Sequence, residues 1–335
     1  MTGRSGIICA GNWIIDLVHD IEHWPAESDL VRIGQQTRSM GGGAANVVAA
    51  LAKLETGLPL WPMGAVGDDE FGAFVRTQCQ ALGLPTSQLL AKAGVATAHT
   101  HVMSVAGRSR TFFYQGGAND ALRFEDFPTG TFSTTQARIF YLGYLTLLAQ
   151  LDAVDVSGMT DAARVLQRAR KAGLITCVDL VSGQHPDFRR IVEIAAPHID
   201  YLILNETEAA RATGFDGSAE SLADLLNNPA TLRKMADLLI GKGIGQAVVV
   251  HCPKFALWVG ADGSRHQADV TPLSKDQIVS HLGAGDAFGA GLLFALHEGW
   301  SQENALALGN MAAGASLKGI TANSAIPPLS TLSNQ

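Results

Sequence analysis

The sequence predicts an α/β fold: a doubly wound, mostly parallel sheet flanked by helices, with a small β-sheet lid beside it, in one domain over residues 1–335. Three observations carry this. Short apolar runs alternate with segments of helical period along most of the chain, the order that builds βα units. The runs are continuously apolar, as in Ala247-Val248-Val249-Val250, which suits parallel strands buried on both faces. Two segments break the alternation with polar patterning of period two, the pattern of hairpins.

The elements follow in order. Residues 7–10 form an apolar run closed by Gly11, the first strand. Val47, Ala50, Leu51 and Leu54 recur at helical spacing, so residues 44–54 are read as a helix. A strand over 58–66 tolerates Pro59 and Pro62; Asp68 then caps a helix with the stripe Phe71, Phe74, Val75 and Leu82, stopped by Gly83. Further strands are expected at 138–142, 174–180, 201–204 and 246–250, and helices at 161–171, 231–240, 286–297 and 302–317. The interruptions are 18–40, and 96–105 running through Gly107 into Thr111-Phe112-Phe113-Tyr114. They are expected to meet as the lid sheet, drawn from about residues 17–40 and 96–115. A small sheet on a doubly wound domain suits closure over a site.

Hydrophobic residues make up 47 % and charged residues 16 % of the chain, which excludes disorder. Lys and Arg number 24 against 31 Asp and Glu, a formal charge of −7, and no polybasic run occurs. This argues against nucleic acid or an anionic membrane as partner, while leaving room for a small anionic ligand at a local site. Cys9, Cys79, Cys177 and Cys252 form no CxxC pair and read as reduced core residues. With no apolar signal core in the first 20 residues and no membrane-length apolar run, the expected location is the cytoplasm.

The strongest chemical signal is Gly283-Ala284-Gly285-Asp286-Ala287-Phe288-Gly289-Ala290-Gly291, which stands at the head of an apolar helix. Bare backbone at a helix start leaves N–H groups and the positive end of the helix dipole facing outward, an arrangement that binds a phosphoryl group. A carboxylate placed there serves chemistry by taking a proton from an attacking hydroxyl, so Asp286 is the candidate base. The helix dipole is expected to lower its pKa. The same glycines also suit tight helix packing, and they approximate a dinucleotide fingerprint, which belongs at a first strand–helix turn rather than here. No GxxxxGK[ST] motif occurs.

Gly41-Gly42-Gly43-Ala44-Ala45-Asn46 lets backbone approach a ligand, with Asn46 offering donor and acceptor; the alternative is a flexible turn into the helix. Asp16, at a strand–loop transition, suits two adjacent hydroxyls or a solvated loop charge. Asn205 follows the strand at 201–204, where open α/β sheets bind ligands, and Glu208 lies one turn on, placed to hold a water of a Mg²⁺ shell. The pair also reads as a helix capping box, and both roles are compatible. His99 and His101 share a strand face without a third ligand, which favours a polar lid face over zinc.

Taken together and in this order, these pieces resemble the ribokinase-like (PfkB) family of sugar and nucleoside kinases. The carriers are Gly41–Asn46, Gly67-Asp68-Asp69-Glu70-Phe71-Gly72, Asn205-x-x-Glu208 and Gly283-Ala284-Gly285-Asp286-Ala287-Phe288, across nearly the whole chain. The resemblance implies a ribokinase-like fold and ATP-dependent phosphorylation of a primary hydroxyl of a small carbohydrate. It puts Asp286 on the catalytic base and Gly283, Ala284 and Gly285 on the anion hole. Asp16, Gly41, Gly42 and Asn46 fall on sugar-binding positions, with Arg110 and Asn119 reaching toward the substrate. Asn205, Glu208, His251 and Asn310 fall on the nucleotide side, with Asn310 near the adenine. Glu208 would hold Mg²⁺ through water, and the lid would pair two copies into a homodimer. Three departures stand out. Ser280-His281-Leu282 replaces the Asp-Thr-Thr that precedes the anion hole, which leaves a monovalent cation open. Pro253-Lys254-Phe255-Ala256 replaces a Gly-x-x-Gly nucleotide loop. Asp179-Leu180-Val181-Ser182-Gly183 lacks the Asn and Arg of an Asp-x-Asn-x-Arg variant. The alternatives are a nucleoside kinase, with Trp13, Phe112 and Tyr144 as walls for a base, and a sugar-binding regulatory homologue of weak turnover.

Overall fold

The computed structural model describes residues 3–108, 110–215, 222–225 and 228–332. Its strands are β1 (Ile7–Gly11), β2 (Ile14–Ile21), β3 (Ile33–Gly41), β4 (Leu60–Gly67), β5 (Leu89–Lys92), β6 (His99–Val105), β7 (Thr111–Gln115), β8 (Ile139–Leu145), β9 (Ile175–Leu180), β10 (Tyr201–Asn205), β11 (Ala247–His251), β12 (Phe255–Gly260) and β13 (Arg265–Asp269). Among the described residues, nine strands form one sheet in the order β13-β12-β11-β10-β9-β8-β1-β4-β5, and the other four form a second sheet in the order β3-β2-β6-β7. From β5 to β11 every neighbouring pair is parallel; the β11–β12 and β12–β13 pairs are antiparallel. The expected fold class and the separate lid are therefore both present.

The apolar runs follow from double-sided burial. In β1, Ile8 and Ala10 join the core on one face of the sheet while Ile7 and Cys9 join the core on the other, all fully buried. One face is covered by helices Asp161–Lys171, Phe188–Ala195 and Pro229–Ile240, and the opposite face by Gly43–Lys53, Ala284–Glu298 and Gln302–Ser316. Each fully buried Leu, such as Leu51 or Leu202, stabilises this packing by roughly 1.5–3 kcal/mol. All four cysteines are free and buried, as composition suggested.

Several boundaries differ from expectation for identifiable reasons. Helix Glu70–Ala81 is capped by Asp69 rather than Asp68: Asp69 Oδ1 accepts from the Gly72 N–H at 2.8 Å, and its Oδ2 accepts from the Thr97 N–H at 2.7 Å. That second bond ties the cap to the chain entering the lid, a long-range contact that local spacing does not register. The β12–β13 hairpin, absent from the expected elements, closes one edge of the main sheet; its outer strand is polar and half exposed, without an apolar run to mark it. Helix Ala284–Glu298 begins two residues ahead of the expected start, because Gly283 at φ 78° turns the chain into it. In the lid, β2 starts at Ile14, so Asp16 lies within a strand instead of a strand–loop transition. Its registers confirm the hairpin grammar: β2 pairs antiparallel with β3, β6 antiparallel with β7, and β2 parallel with β6.

Candidate active site

A cleft of about 750 Å³ lies between the lid tip and the carboxyl ends of β8, β9, β10 and β11. Its lining includes Arg110 from the lid, Tyr144, Asp179, Asn205, Glu208, His251 and the segment 279–286. Strand C-terminal edges are where open α/β sheets place ligands, because the following loops and helix N-termini converge there.

The helix tip is built as the sequence suggested. Gly283 takes a left-handed φ of 78°, and a Cβ there would lie 2.2 Å from the Cβ of Ala322, so no side chain fits. The first-turn N–H groups that follow have no intrahelical acceptor and are available to an anion. Gly285 packs beside the His251 imidazole, which burial holds neutral by lowering its pKa to about 4.

Asp286 sits on the first turn and is 4 % exposed. Its Oδ2 accepts from Asn46 Nδ2 at 2.8 Å and from the Tyr144 hydroxyl at 3.0 Å. The expectation that the helix dipole lowers its pKa is overturned. Burial raises it to about 7, the donors from Asn46 and Tyr144 pull it down, and the carboxylates of Asp16 and Glu208 push it up. Desolvation of a carboxylate outweighs a half-charge that the helix spreads over several N–H groups. Asp179, at the end of β9, is also raised well above the ordinary carboxylate range, first by burial and then by Asp286.

The Gly41–Asn46 segment meets Asp286 from the lid side. A Cβ on Gly41 would lie 2.1 Å from Asp16 Oδ2, and Gly42 at φ 93° has the Asn12 carbonyl 2.7 Å from where its Cβ would stand. Gly41 therefore brings the backbone against Asp16 and Gly42 brings it against Asn12, as well as leading into the helix. Asp16 is buried, and burial pushes its pKa to about 6, opposed by a Thr100 hydrogen bond and the charge of Arg110. Arg110 donates from Nη1 to Ser280 Oγ at 2.9 Å, linking the lid tip to the segment ahead of the anion hole.

Asn205 and Glu208 form the capping box: Asn205 Oδ1 accepts from the Glu208 N–H and Glu208 Oε2 accepts from the Asn205 N–H, both at 2.9 Å. Glu208 Oε1 also accepts from Asn205 Nδ2 and Ser182 Oγ, each at 2.8 Å, and burial raises its pKa. The capping and cleft-lining roles thus coexist.

Not every expected residue lines the cleft: Asp16, Gly41, Gly42 and Asn46 are buried beside it and stand outside its lining. Asn310 lies apart from its lining; its amide donates to the Ala268 carbonyl at 3.1 Å and fastens helix Gln302–Ser316 to β13. Trp13 is fully buried with Nε1 donating to the Met63 carbonyl, so it is core and not a wall. Asn119 is likewise buried, its Oδ1 accepting from the Trp13 N–H. His99 and His101 join His19 in a ring cluster, with His19 Nε2 3.0 Å from His101 Nδ1. Among the described residues, no group of three or more His, Cys, Asp or Glu is arranged to hold a metal. The sequence suggests Tyr144 only as a wall, and it marks Asp179 and Ser182 only by the Asn and Arg missing around them. Their common signal is position: each ends, or closely follows, a parallel strand at the ligand-binding edge.

The family model described as pfkB family carbohydrate kinase matches residues 4–328. The chain is 24 % identical over 277 residues to 5-dehydro-2-deoxygluconokinase of Clostridium perfringens, covering 82 % of this chain and 77 % of the relative. It is 26 % identical over 297 residues to fructokinase-1 of Zea mays, covering 87 % and 83 %. Its fold is shared with Arabidopsis thaliana ribokinase, solved in complex with ribose and ATP: TM-score 0.75, 21 % identity, 99 % of this chain and 98 % of that one.

Proposed function

Since the chain belongs to the PfkB family of carbohydrate kinases, we propose that it moves the terminal phosphoryl group of ATP onto a primary hydroxyl of a small sugar at the cleft described above. One observation carries this: a buried carboxylate and the free N–H groups of a helix start share a single tip that lines the cleft. The relatives named as kinases of a gluconate derivative and of fructose favour a sugar over a nucleoside.

The chemistry follows from the side chains. Asn46 and Tyr144 both bind Oδ2 of Asp286, and the described residues send no donor to Oδ1. Oδ1 is therefore the oxygen that accepts the proton of the attacking hydroxyl. A pKa near 7 matches a base to neutral pH, and a loose phosphoryl-transfer transition state asks for that proton late. The N–H groups of residues 283–286 stabilise the equatorial oxygens as charge spreads over them. Asp16, Gly41, Gly42 and Asn46, buried beside Asp286 and outside the cleft's lining, become the contacts for the sugar's hydroxyls once it enters, and Arg110 brings the lid down on it, excluding water that would hydrolyse ATP. Asn205, Glu208 and His251 lie on the nucleotide side.

Mg²⁺ suits this donor set. It keeps several waters and needs one or two carboxylates plus phosphates, not a protein cage. Glu208 offers hard oxygens at the cleft, and both already accept protein donors, which fits contact through water. When bound, the cation neutralises phosphate charge. The lid carries exposed Trp24, Ile33 and Phe113, with Trp24 stacked on Phe113, which supports a homodimer built across it. Among the described residues no helix is long and apolar enough to cross a membrane, and four buried thiols suit a reducing cytoplasm.

The test is ADP release with ATP and Mg²⁺ against a panel of hexoses, pentoses, sugar acids and nucleosides. A sugar that drives turnover, with Asp286→Asn inactive on it, supports the proposal. Turnover only with nucleosides, or sugar binding by calorimetry without ADP release, defeats it.

A further inference from the structure

Tyr144 occupies an unfavourable backbone. It is the last residue but one of β8, at φ 58°, in the left-handed region that a bulky aromatic rarely adopts at a cost of order 1–3 kcal/mol. Three features accommodate it. Its N–H donates to Asp179 Oδ1 at 2.9 Å, so a buried carboxyl holds the turned peptide. Residue 43 is a glycine, and a Cβ there would stand 2.7 Å from Tyr144 Cδ1, closer than van der Waals contact allows. Gly143 beside it is equally constrained, since a Cβ would lie 2.7 Å from the Ala44 N. All three permit one outcome, a phenol aimed at Asp286 Oδ2 at 3.0 Å.

We propose that Tyr144 is a positioning residue for the phosphoryl-transfer base: its hydroxyl, with Asn46, fixes Oδ2 of Asp286 and turns Oδ1 toward the substrate, while Asp179 holds Tyr144 in its strained conformation. The inference rests on the kinase proposal for its catalytic meaning but not for its geometry. Burial and the neighbouring carboxylates keep the phenol protonated, so it donates to Asp286 and does not accept from it. The other titratable groups facing Asp286 are Asp16 from β2, Asp179 from β9, Tyr141 from β8 and Glu208 from helix Glu206–Thr213; His251 of β11 packs against neighbouring Gly285, and Arg110 of the lid faces Asp16. None of these changes when only the Tyr144 hydroxyl is removed.

The test is a ¹³C-carboxyl NMR titration of Asp286, its resonance assigned with Asp286→Asn. Losing a donor to the charged form raises a carboxylate's pKa, so in Tyr144→Phe the midpoint moves up by about one pH unit. Installing 3,5-difluorotyrosine at position 144, a stronger donor, moves it down. Where a sugar is turned over, the acid limb of kcat against pH moves in the same two directions. Midpoints of both proteins within about 0.3 pH unit of the parent, or both displaced the same way, overturn the inference. The titration needs no turnover, so its result is independent of the sugar panel, which alone decides the kinase proposal.

Discussion

Replacing Asp286 by Asn separates catalysis from stability with opposite signs. The carboxylate is 4 % exposed, and burial lifts its pKa from 3.8 to about 7. A folded pKa above the unfolded one means that the native protein binds the proton more tightly between those values. Stability therefore falls as pH rises from about 4 to 7, and above 7 the full cost of holding the charge is present. At 1.36 kcal/mol per pH unit, three units amount to about 4 kcal/mol as an upper bound. Asparagine removes the charge and keeps an acceptor for the Asn46 amide and the Tyr144 hydroxyl, while losing the charge-assisted part of those two bonds. The expected net gain is about 1–3 kcal/mol at pH 8, a rise of a few degrees in Tm, shrinking toward zero at pH 4. The same change removes the base and lowers kcat by ~10²–10⁴. Coupled ADP-release kinetics and thermal melts at both pH values read the two effects. Turnover within about threefold of the parent, or a variant less stable than the parent at pH 8, refutes the assignment.

Other substitutions test the remaining parts. Glu208→Gln keeps acceptors for Asn205 and Ser182 but removes the charge, and is expected to raise the Mg²⁺ concentration for half-maximal rate about tenfold at little change in sugar KM, read by magnesium titration. Gly283→Ala forces a left-handed φ of 78° on a residue with a Cβ 2.2 Å from that of Ala322. It should lower stability by about 1 kcal/mol or more and kcat by over tenfold, measured by denaturant melts and turnover. Arg110→Ala removes the link to Ser280 Oγ at 2.9 Å and is expected to raise sugar KM several-fold and to let water compete with the sugar for the phosphoryl group during turnover, read as a ratio of ADP to sugar phosphate above one.

Much of the fold was legible because its strands announce themselves. A parallel sheet buried on both faces must use unbroken apolar runs, and residues 247–250 show one. The lid was legible from period two and a glycine turn. The β12–β13 edge was not, since its outer strand is half solvated and carries no run of apolar residues. Within the site, short motifs exposed Gly283–Asp286 and Asn205–Glu208, whose spacing is local. The contacts from Asn46 and Tyr144 to Asp286 span 240 and 142 residues, and no local pattern encodes such distances. The raised pKa of Asp286 is hidden from sequence for a related reason: the dipole is visible there, whereas burial is a property of the assembled cleft. Asn310 is placed near the adenine by family position alone, and the contact its side chain makes, to the Ala268 carbonyl, is another that no local pattern encodes.

The most direct measurement is a crystal structure with the turned-over sugar and a non-hydrolysable ATP analogue bound. The primary hydroxyl oxygen is expected within hydrogen-bond reach of Asp286 Oδ1, about 2.6–3.2 Å, with the terminal phosphate against the N–H groups of residues 283–286. A sugar hydroxyl paired with another acceptor, or a phosphate bound away from that helix start, would contradict the role given to Asp286.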